Sequence, residues 1–234
     1  MEQRRTRDAP YRAGRQPDHM SRGPYRLVVF DFDGTLADSF PWFARVINDV
    51  ADRYRFRRIA PHETEVLRGL DAAGIVRHFG IAPWKLPFIS RHMHALAARD
   101  IAEISLFPGI RTMLADLAAA GTPLAIVSSN TRANIEAVLG PDARRFRRYA
   151  CGASLFGKAK RLRALVRDAG FTPGSTLYVG DEIRDHDAAR SVGCDFAAVA
   201  WGYTRIEALR ATGPALMLTH PSAIVPAVVG RVSA

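Results

Sequence analysis

Two aspartates, Asp31 and Asp33, lie two positions apart at the end of an apolar run near the start of the chain. The run LVVF, residues 27–30, predicts a strand that is buried on both faces. Carboxylates crowded at the end of a buried strand are unfavourable unless protons or a cation neutralise them. The pair therefore indicates a site that binds a cation.

Polar residues also follow later segments of the chain. They are Ser128, Ser129 and Asn130 after one strand-type run, Asp181 after another, Asp185 one helical turn later, and Lys158 at the start of a helical pattern between those runs. In open parallel sheets, ligands bind outside the carboxyl ends of the strands. We therefore expect these side chains to converge on one edge of a sheet.

The converging groups combine several carboxylates with one lysine. A hard cation such as Mg²⁺ fits a site of carboxylates, a backbone carbonyl and water, and it keeps part of its coordination shell for a phosphate. The compact charge of Lys158 would face the same phosphate. Ser128 and the neighbouring N–H groups would hold its oxygens at a helix N-terminus. The sequence thus predicts Mg²⁺-assisted chemistry on a phosphate group.

The elements that would position these residues alternate in type from residue 108 onward. Strand-type runs lie at 123–128, 176–180, 195–200 and 215–219, and helical patterns at about 110–120, 131–139, 156–170 and 188–192. The runs are almost entirely apolar, as a sheet covered on both sides requires. This alternation predicts an α/β fold, a Rossmann-like parallel sheet with helices on both faces.

Residues 37–107 break this rhythm, because they lack strand-type runs and carry helical patterns. We predict a small helical cap there, inserted into a core formed by residues 26–36 and 108–234. Trp42, Trp84 and Phe88 are expected in the cap core or at its interface with the sheet. His92 and His94 lie two positions apart, which places them on different sides of a helix and predicts no metal site.

The net charge of +10 is concentrated in two segments. Residues 1–26 hold seven arginines against three acidic residues, and RRFRR at 144–148 adds four arginines. Arginine-rich surfaces are usually only solvated faces, so we expect no nucleic-acid partner. The first 25 residues lack an apolar period and predict a disordered basic leader, within which Met20 is an alternative start.

Cysteine content and hydropathy bear on location. Cys151 and Cys194 match no metal or redox spacing, and the leader has no apolar core of a secretory signal, so we expect a cytoplasmic protein. The longest uncharged stretch, residues 211–230, contains three prolines. A strand, a loop and a short helix are expected there rather than a membrane span.

Four motifs, in their order along the chain, resemble those of the haloacid dehalogenase (HAD) superfamily of phosphohydrolases. They are DFDGT at 31–35, IVSSN at 126–130, Lys158 in FGKAKRL, and VGDEIRD at 179–185. The helical insert resembles the mobile cap of that family. The segment AAVAWGY, residues 197–203, resembles the one that follows the last motif in phosphoglycolate-phosphatase-like members. The resemblance covers residues 26–225.

The resemblance implies a catalytic role for four residues. Asp31 would be the nucleophile and form an aspartyl-phosphate intermediate. Asp33 would be the general acid and base. Ser128 would bind the phosphoryl group, and Lys158 would steady Asp31 and the transferring charge.

Binding roles follow from the same resemblance. Asp181 would hold Mg²⁺ together with Asp31 and the backbone carbonyl of Asp33, and Asp185 would orient this set. Ser129 and Asn130 are further candidates for phosphate binding. The implied partner is a small phosphorylated metabolite, and the oligomeric state is not predicted.

The expected function is hydrolysis of a small phosphomonoester, of the phosphoglycolate type, by a Mg²⁺-dependent phosphatase. Asp33 favours a phosphatase over a dehalogenase, which needs no acid at that position. A phosphotransferase with a sugar hydroxyl as acceptor stays open, as does a non-catalytic protein that docks its arginine-rich segments on an acidic partner. Phosphonate hydrolysis would require a cap lysine, and Lys85 is the one lysine of the insert.

Overall fold

The computed structural model describes residues 25–152 and 157–230. The predicted leader and the alternative start at Met20 lie outside the described residues, apart from Tyr25. Within the described ranges, no helix is long and apolar enough to cross a membrane. The uncharged stretch at 211–230 forms a strand, a 3₁₀ turn and a short helix, as predicted.

The described residues form eight strands. They are β1 (Leu27–Phe30), β2 (Ala37–Asp38), β3 (Ser105–Leu106), β4 (Leu124–Val127), β5 (Phe146–Ala150), β6 (Thr176–Gly180), β7 (Asp195–Val199) and β8 (Leu216–Leu218). Six of them form one parallel sheet in the order β5-β4-β1-β6-β7-β8. The chain builds outward from β1 to both sides, so the carboxyl ends of β1, β4 and β6 are adjacent. Ligands bind at this position in doubly wound sheets.

Ten α-helices accompany the strands within the described ranges. They are α1 (Phe40–Tyr54), α2 (Thr64–Leu67), α3 (Ala72–His78), α4 (Leu86–Arg99), α5 (Ile110–Ala119), α6 (Arg132–Leu139), α7 (Lys158–Asp168), α8 (Ile183–Val192), α9 (Ile206–Ala211) and α10 (Ile224–Val229). Buried side chains of α5, α6 and α10 pack on one face of the sheet, and those of α7, α8 and α9 on the other. The predicted Rossmann-like α/β fold is confirmed.

Helices α1 to α4 lie between β2 and β3 along the chain, and these two short strands connect them to the sheet domain. Helix α1 buries Trp42, Val46 and Val50, which recur every four residues and so share one face. It ends at Tyr54, and the next residue, Arg55, leaves the helical region with a φ of 54°. Strands β2 and β3 pair antiparallel, so the chain enters and leaves this group of helices at the same place. This pairing supports the division at residues 37 and 107, which we keep as a proposal.

Three details differ from the sequence-based expectations. The insert was expected to lack strands, but β2 and β3 are two-residue strands at its ends, too short to show a period. The arginine cluster contains an unpredicted edge strand, β5, in which Phe146 is buried and Arg147 and Arg148 are exposed. Charged side chains on an edge strand discourage pairing with other chains. Trp84 and Phe88 are 69% and 51% exposed, so they lie neither in the cap core nor in a buried interface with the sheet, contrary to expectation.

Candidate active site

Lys158 joins two carboxylates at the carboxyl edge of the sheet. Its ammonium donates to Asp31 Oδ2 and to Asp185 Oδ1, each at 2.5 Å, and all three side chains are buried. Burial would lower the pKa of Lys158, but the charges of Asp185 and Asp31 raise it above its ordinary value. The lysine is therefore a fixed positive charge beside Asp31.

Asp185 is held in place from three sides. The phenol of Tyr178 donates to Asp185 Oδ1 at 3.2 Å, and the backbone N–H of Glu182 donates to Oδ2 at 3.1 Å, in addition to the bond from Lys158. Its two oxygens are thus already used by donors of the chain. This arrangement supports the predicted orienting role for Asp185.

Asp181 is a fully buried carboxylate with neutral donors. The hydroxyl of Thr35 donates to Oδ1 at 2.7 Å, and the backbone N–H of Tyr203 donates to Oδ2 at 2.8 Å. A Cβ on Gly34 would lie 2.2 Å from Asp181 Oδ2, and one on Gly202 would lie 2.1 Å from Asp181 Cβ. Glycine is therefore required on both sides of this carboxylate.

Asp33 is half-buried, and each of its oxygens accepts one hydrogen bond. Ser39 Oγ donates to Oδ1 at 2.8 Å, and Asn130 Nδ2 donates to Oδ2 at 3.0 Å. Ser39 immediately precedes α1, and Asn130 lies in the loop after β4. The orientation of Asp33 therefore depends on the insert and on the sheet domain together.

The loop after β4 carries Ser128, Ser129 and Asn130, of which Asn130 contacts Asp33. Ser128 is fully buried, and its Oγ accepts from the backbone N–H of Asn130 at 3.1 Å. Among the described residues, its hydroxyl proton has no acceptor, so it is free to donate to an anion. The Asn130 side chain is bonded at both ends, since Oδ1 accepts from Thr131 N and Asn134 Nδ2 while one N–H of Nδ2 donates to Asp33.

Burial controls the electrostatics of the carboxyl groups. Desolvation by burial outweighs the nearby Lys158 and raises the pKa of Asp31 to about 7. Burial also raises the pKa of Asp33 and places the pKa of Asp181 well above its ordinary value. With these carboxyl groups ionised, the site would carry more negative charge than its own donors stabilise.

This excess of carboxylates fits a divalent cation. Asp31, Asp181 and Asp185 each place one oxygen within 4.8 Å of the others. Asp181 has no positively charged partner among the described residues, and a buried carboxylate without one is costly. Oxygen-only donors of this kind suit a hard cation such as Mg²⁺.

A second positively charged side chain, that of Arg184, lies close to the carboxylate cluster. Arg184, at the start of α8, donates to the carboxylate of Glu182, and Glu182 Oε2 lies 3.9 Å from Lys158 Nζ. Burial would lower the pKa of Arg184, but Glu182, Asp185 and Asp31 raise it. The Arg184–Glu182 pair thus borders the cluster without changing its net charge.

Several residues at the site were not predicted from the sequence. Tyr203 contacts both Asp181 and Ser39. From α4, His94 approaches the site: burial lowers its pKa, while the charge of Asp33 and a hydrogen bond to the Ser129 backbone oppose this shift. Apart from the AWGY segment that contains Tyr203, these residues carry no motif.

Asn134 connects α4 to the loop after β4. Its amide donates to the carbonyl of His94 at 3.0 Å and to Asn130 Oδ1 at 3.1 Å. Asn130 in turn binds Asp33. A line of hydrogen bonds therefore runs from the insert to the second aspartate.

A family model described as haloacid dehalogenase-like hydrolase matches residues 28–199. The phosphoglycolate phosphatase of Synechococcus elongatus is 36% identical over 205 residues, which cover 87% of this chain and 97% of that protein. The tyrosine-protein kinase PtkA of Mycobacterium tuberculosis is 30% identical over 216 residues, covering 85% of this chain and 70% of that protein.

A solved structure has the same fold as this chain. A protein from Lactobacillus plantarum, proposed to be a phosphoglycolate phosphatase, superposes with a TM-score of 0.76 at 22% identity. The match covers 88% of this chain and 100% of that one. At this identity the likeness concerns the fold alone.

Proposed function

The chain belongs to the haloacid dehalogenase-like hydrolase family and is an enzyme of the phosphatase type, and we propose that it hydrolyses a small, phosphoglycolate-like phosphomonoester. The proposal rests on one observation above all. Asp31 is buried and bonded to Lys158 through Oδ2, with Asp33 two residues away. No protein donor is bonded to Asp31 Oδ1 among the described residues, so this oxygen is available to attack.

In the first step, Asp31 Oδ1 attacks the phosphorus of the substrate. The new O–P bond forms as the bond to the leaving alcohol oxygen breaks, and Asp33 gives its proton to that oxygen. Burial, which raises the pKa of Asp33, favours the protonated form that this step needs. Lys158 and the Ser128 hydroxyl offset the negative charge on the transferring group.

In the second step, water attacks the phosphorus of the aspartyl-phosphate. Asp33, now a carboxylate, takes a proton from this water while the bond to Asp31 breaks and phosphate leaves. A hydroxyl can donate to a carboxylate and accept from a carboxylic acid, so Ser39 can hold both forms of Asp33.

Magnesium is the cation proposed for the carboxylate cluster. Asp31, Asp181 and the backbone carbonyl of Asp33 would hold it, with Asp185 as an orienting neighbour. When bound, it would neutralise the carboxylates and the phosphate oxygens that face them. Asn130, whose amide already binds Asp33, would act by orienting Asp33; Ser128 and Ser129 would receive the phosphate.

The phosphoglycolate-type substrate is suggested by the cyanobacterial relative at 36% identity. PtkA, at 30% identity, is a kinase, which keeps a phosphotransferase open as a second candidate. Both activities would use Asp31, and they differ in the acceptor. Phosphonate hydrolysis is disfavoured, because the Lys85 amine donates to the carbonyl of Tyr54 at 2.8 Å at the end of α1.

We also propose a reducing, cytoplasmic location. Cys151 and Cys194 are both free, and Cys194 is buried. Free cysteines suit a reducing compartment, in which disulfides do not persist.

Phosphate release from 2-phosphoglycolate and from p-nitrophenyl phosphate tests the function. We expect release that requires Mg²⁺, stops with chelator and falls at least about 1,000-fold in Asp31→Asn, because the amide is not a nucleophile. Asp49→Asn, which changes an exposed aspartate of α1, is the matched control. Turnover that persists in Asp31→Asn would contradict the mechanism.

The acceptor is identified in the same assay. Product analysis by ³¹P NMR separates inorganic phosphate from a phosphorylated alcohol or tyrosine peptide added in excess. Hydrolysis predicts inorganic phosphate with or without the added acceptor. A phosphorylated acceptor as the main product would favour the phosphotransferase instead.

A further inference from the structure

Tyr203, in the loop after β7, uses three polar groups on three different partners. Its backbone N–H donates to Asp181 Oδ2 at 2.8 Å. Its carbonyl accepts from Arg68 Nε, in the insert, at 2.8 Å. Its phenol oxygen lies 2.7 Å from Ser39 Oγ. One residue thus contacts the carboxylate cluster, the insert and the residue that binds Asp33.

The direction of the phenol hydrogen bond follows from proton counting. Ser39 has one hydroxyl proton and donates it to the carboxylate of Asp33 at 2.8 Å. The phenol of Tyr203 must then donate to Ser39. The ring lies 5.3 Å from Phe40 in an edge-on contact, which restricts its rotation.

Arg68, which follows α2, clasps the loop that carries Tyr203. Besides its bond to Tyr203, Arg68 Nη2 donates to the carbonyl of Gly202 at 3.2 Å, and the Arg68 carbonyl accepts from Arg205 N at 2.8 Å. The guanidinium also lies 5.9 Å above the ring of Phe40. Arg68 therefore binds the loop through two guanidinium donors, Nε and Nη2, and through its backbone carbonyl as an acceptor.

We propose that Tyr203 is a positioning residue that couples docking of the insert to the orientation of the general acid Asp33. Arg68 seats the loop, the loop presents the phenol to Ser39, and Ser39 fixes Asp33 Oδ1. The proposal rests on the proposed function for the role of Asp33. The AWGY segment, which takes no direct part in either chemical step, thereby gains a positioning role through Tyr203.

Removing the phenol alone tests the coupling. In Tyr203→Phe the ring contacts and the backbone bonds are kept, so kcat should fall about tenfold, the size expected for one lost buried hydrogen bond, while KM stays within twofold. Ser39→Ala should show a similar loss. The double variant should lose no more than Ser39→Ala alone, because the phenol acts through Ser39.

The contact of Arg68 with the loop after β7, here called the clasp, is tested by hydrogen exchange, without an activity assay. In Arg68→Ala, hydrogen exchange at the Tyr203 amide should speed up at least about tenfold, since the loop loses two side-chain bonds. Arg68→Lys should restore this only in part, because an ammonium cannot match the forked guanidinium. Arg77→Ala, which removes an exposed arginine of α3, is the control and should change nothing.

The outcomes separate two kinds of failure. Wild-type kcat and KM in Tyr203→Phe would overturn the coupling, and unchanged exchange in Arg68→Ala would overturn the clasp. A wild-type protein that releases no phosphate from any phosphomonoester would count against the proposed function, while the exchange experiment would still decide whether the clasp exists. Thermal unfolding of each variant identifies any that fails to fold.

Discussion

The ammonium of Lys158 binds two buried carboxylates, and its removal should harm stability and activity together. In Lys158→Met, Asp31 and Asp185 would lose their cation in a buried setting, which costs about 3–5 kcal/mol. We expect this loss in urea unfolding, together with at least about a 100-fold fall in phosphate release.

Lys160→Met is the matched control, because Lys160 is exposed two residues further along α7. It should change the free energy of unfolding by no more than about 0.5 kcal/mol. A Lys158→Met protein as stable and as active as the wild type would show that Asp31 and Asp185 do not need this charge.

At the residue scale, the sequence is most informative where a side chain follows a strand. Asp31, Asp33 and Asp181 could be predicted because the carboxyl ends of neighbouring parallel strands meet at one edge. Tyr203 and Ser39 could not be assigned their contacts, because those depend on how two distant loops approach. A hydroxyl without a motif carries no local sign of its partner.

At the scale of elements, the contact between α1 and α4 contains a carboxylate with a strongly lowered pKa. Trp42 Nε1 donates to Asp100 Oδ2 at 3.1 Å, and Arg99 Nε donates to Oδ1 at 2.6 Å. The hydrogen bonds from Arg99 and Trp42 lower the pKa of Asp100 from 3.8 to about 2. The carboxylate therefore stabilises the folded state fully above about pH 4, and this stabilisation is lost as pH falls toward 2.

Asp100→Asn should therefore lower the midpoint of thermal unfolding at pH 7, with a smaller difference from wild type at pH 3. Circular dichroism at the two pH values measures both differences. Asp49→Asn, on the exposed side of α1, should leave the midpoint unchanged at either pH. An equal deficit of Asp100→Asn at pH 7 and pH 3 would mean that the charge of Asp100 is not what stabilises this contact.

The elements themselves follow from sequence to different degrees. Strand β6 has the bounds of the predicted run at 176–180, because a short apolar run determines one element, and α1 lies among the helical patterns expected in residues 37–107. Strand β5 was missed since Arg147 and Arg148 give it no apolar pattern. Its strand conformation comes from pairing with β4, which is a tertiary contact.

At the scale of the whole molecule, the insert and the sheet domain meet through residues far apart in the chain. Arg68 and Tyr203 are separated by 135 positions, and Asn134 bonds to a residue 40 positions away. Such contacts leave no local signal in a single sequence. A change of period in the sequence predicts an insert, whereas the contacts between its helices and the sheet follow only from the three-dimensional arrangement.

The whole-molecule arrangement also predicts which part of the chain is dispensable for turnover. Strands β1 to β8 and the residues assembled at the site all lie after residue 26, and the family match begins at residue 28. A variant without residues 1–24 should therefore keep kcat/KM for the best phosphomonoester within about twofold of the full chain. A fall of tenfold or more would show that this segment takes part in catalysis or in substrate binding.

The same truncation addresses the basic charge. Residues 1–24 hold six arginines and three acidic residues, so their removal should weaken retention on a heparin column and lower the salt concentration needed for elution. Unchanged turnover with weaker retention would show that the basic charge of residues 1–24 is not needed for phosphate release, because the site's carboxylates and Lys158 remain in place. Unchanged retention would instead assign the polyanion affinity to the arginines at 144–148, which the truncated chain keeps, and Arg147→Ser with Arg148→Ser would then weaken it.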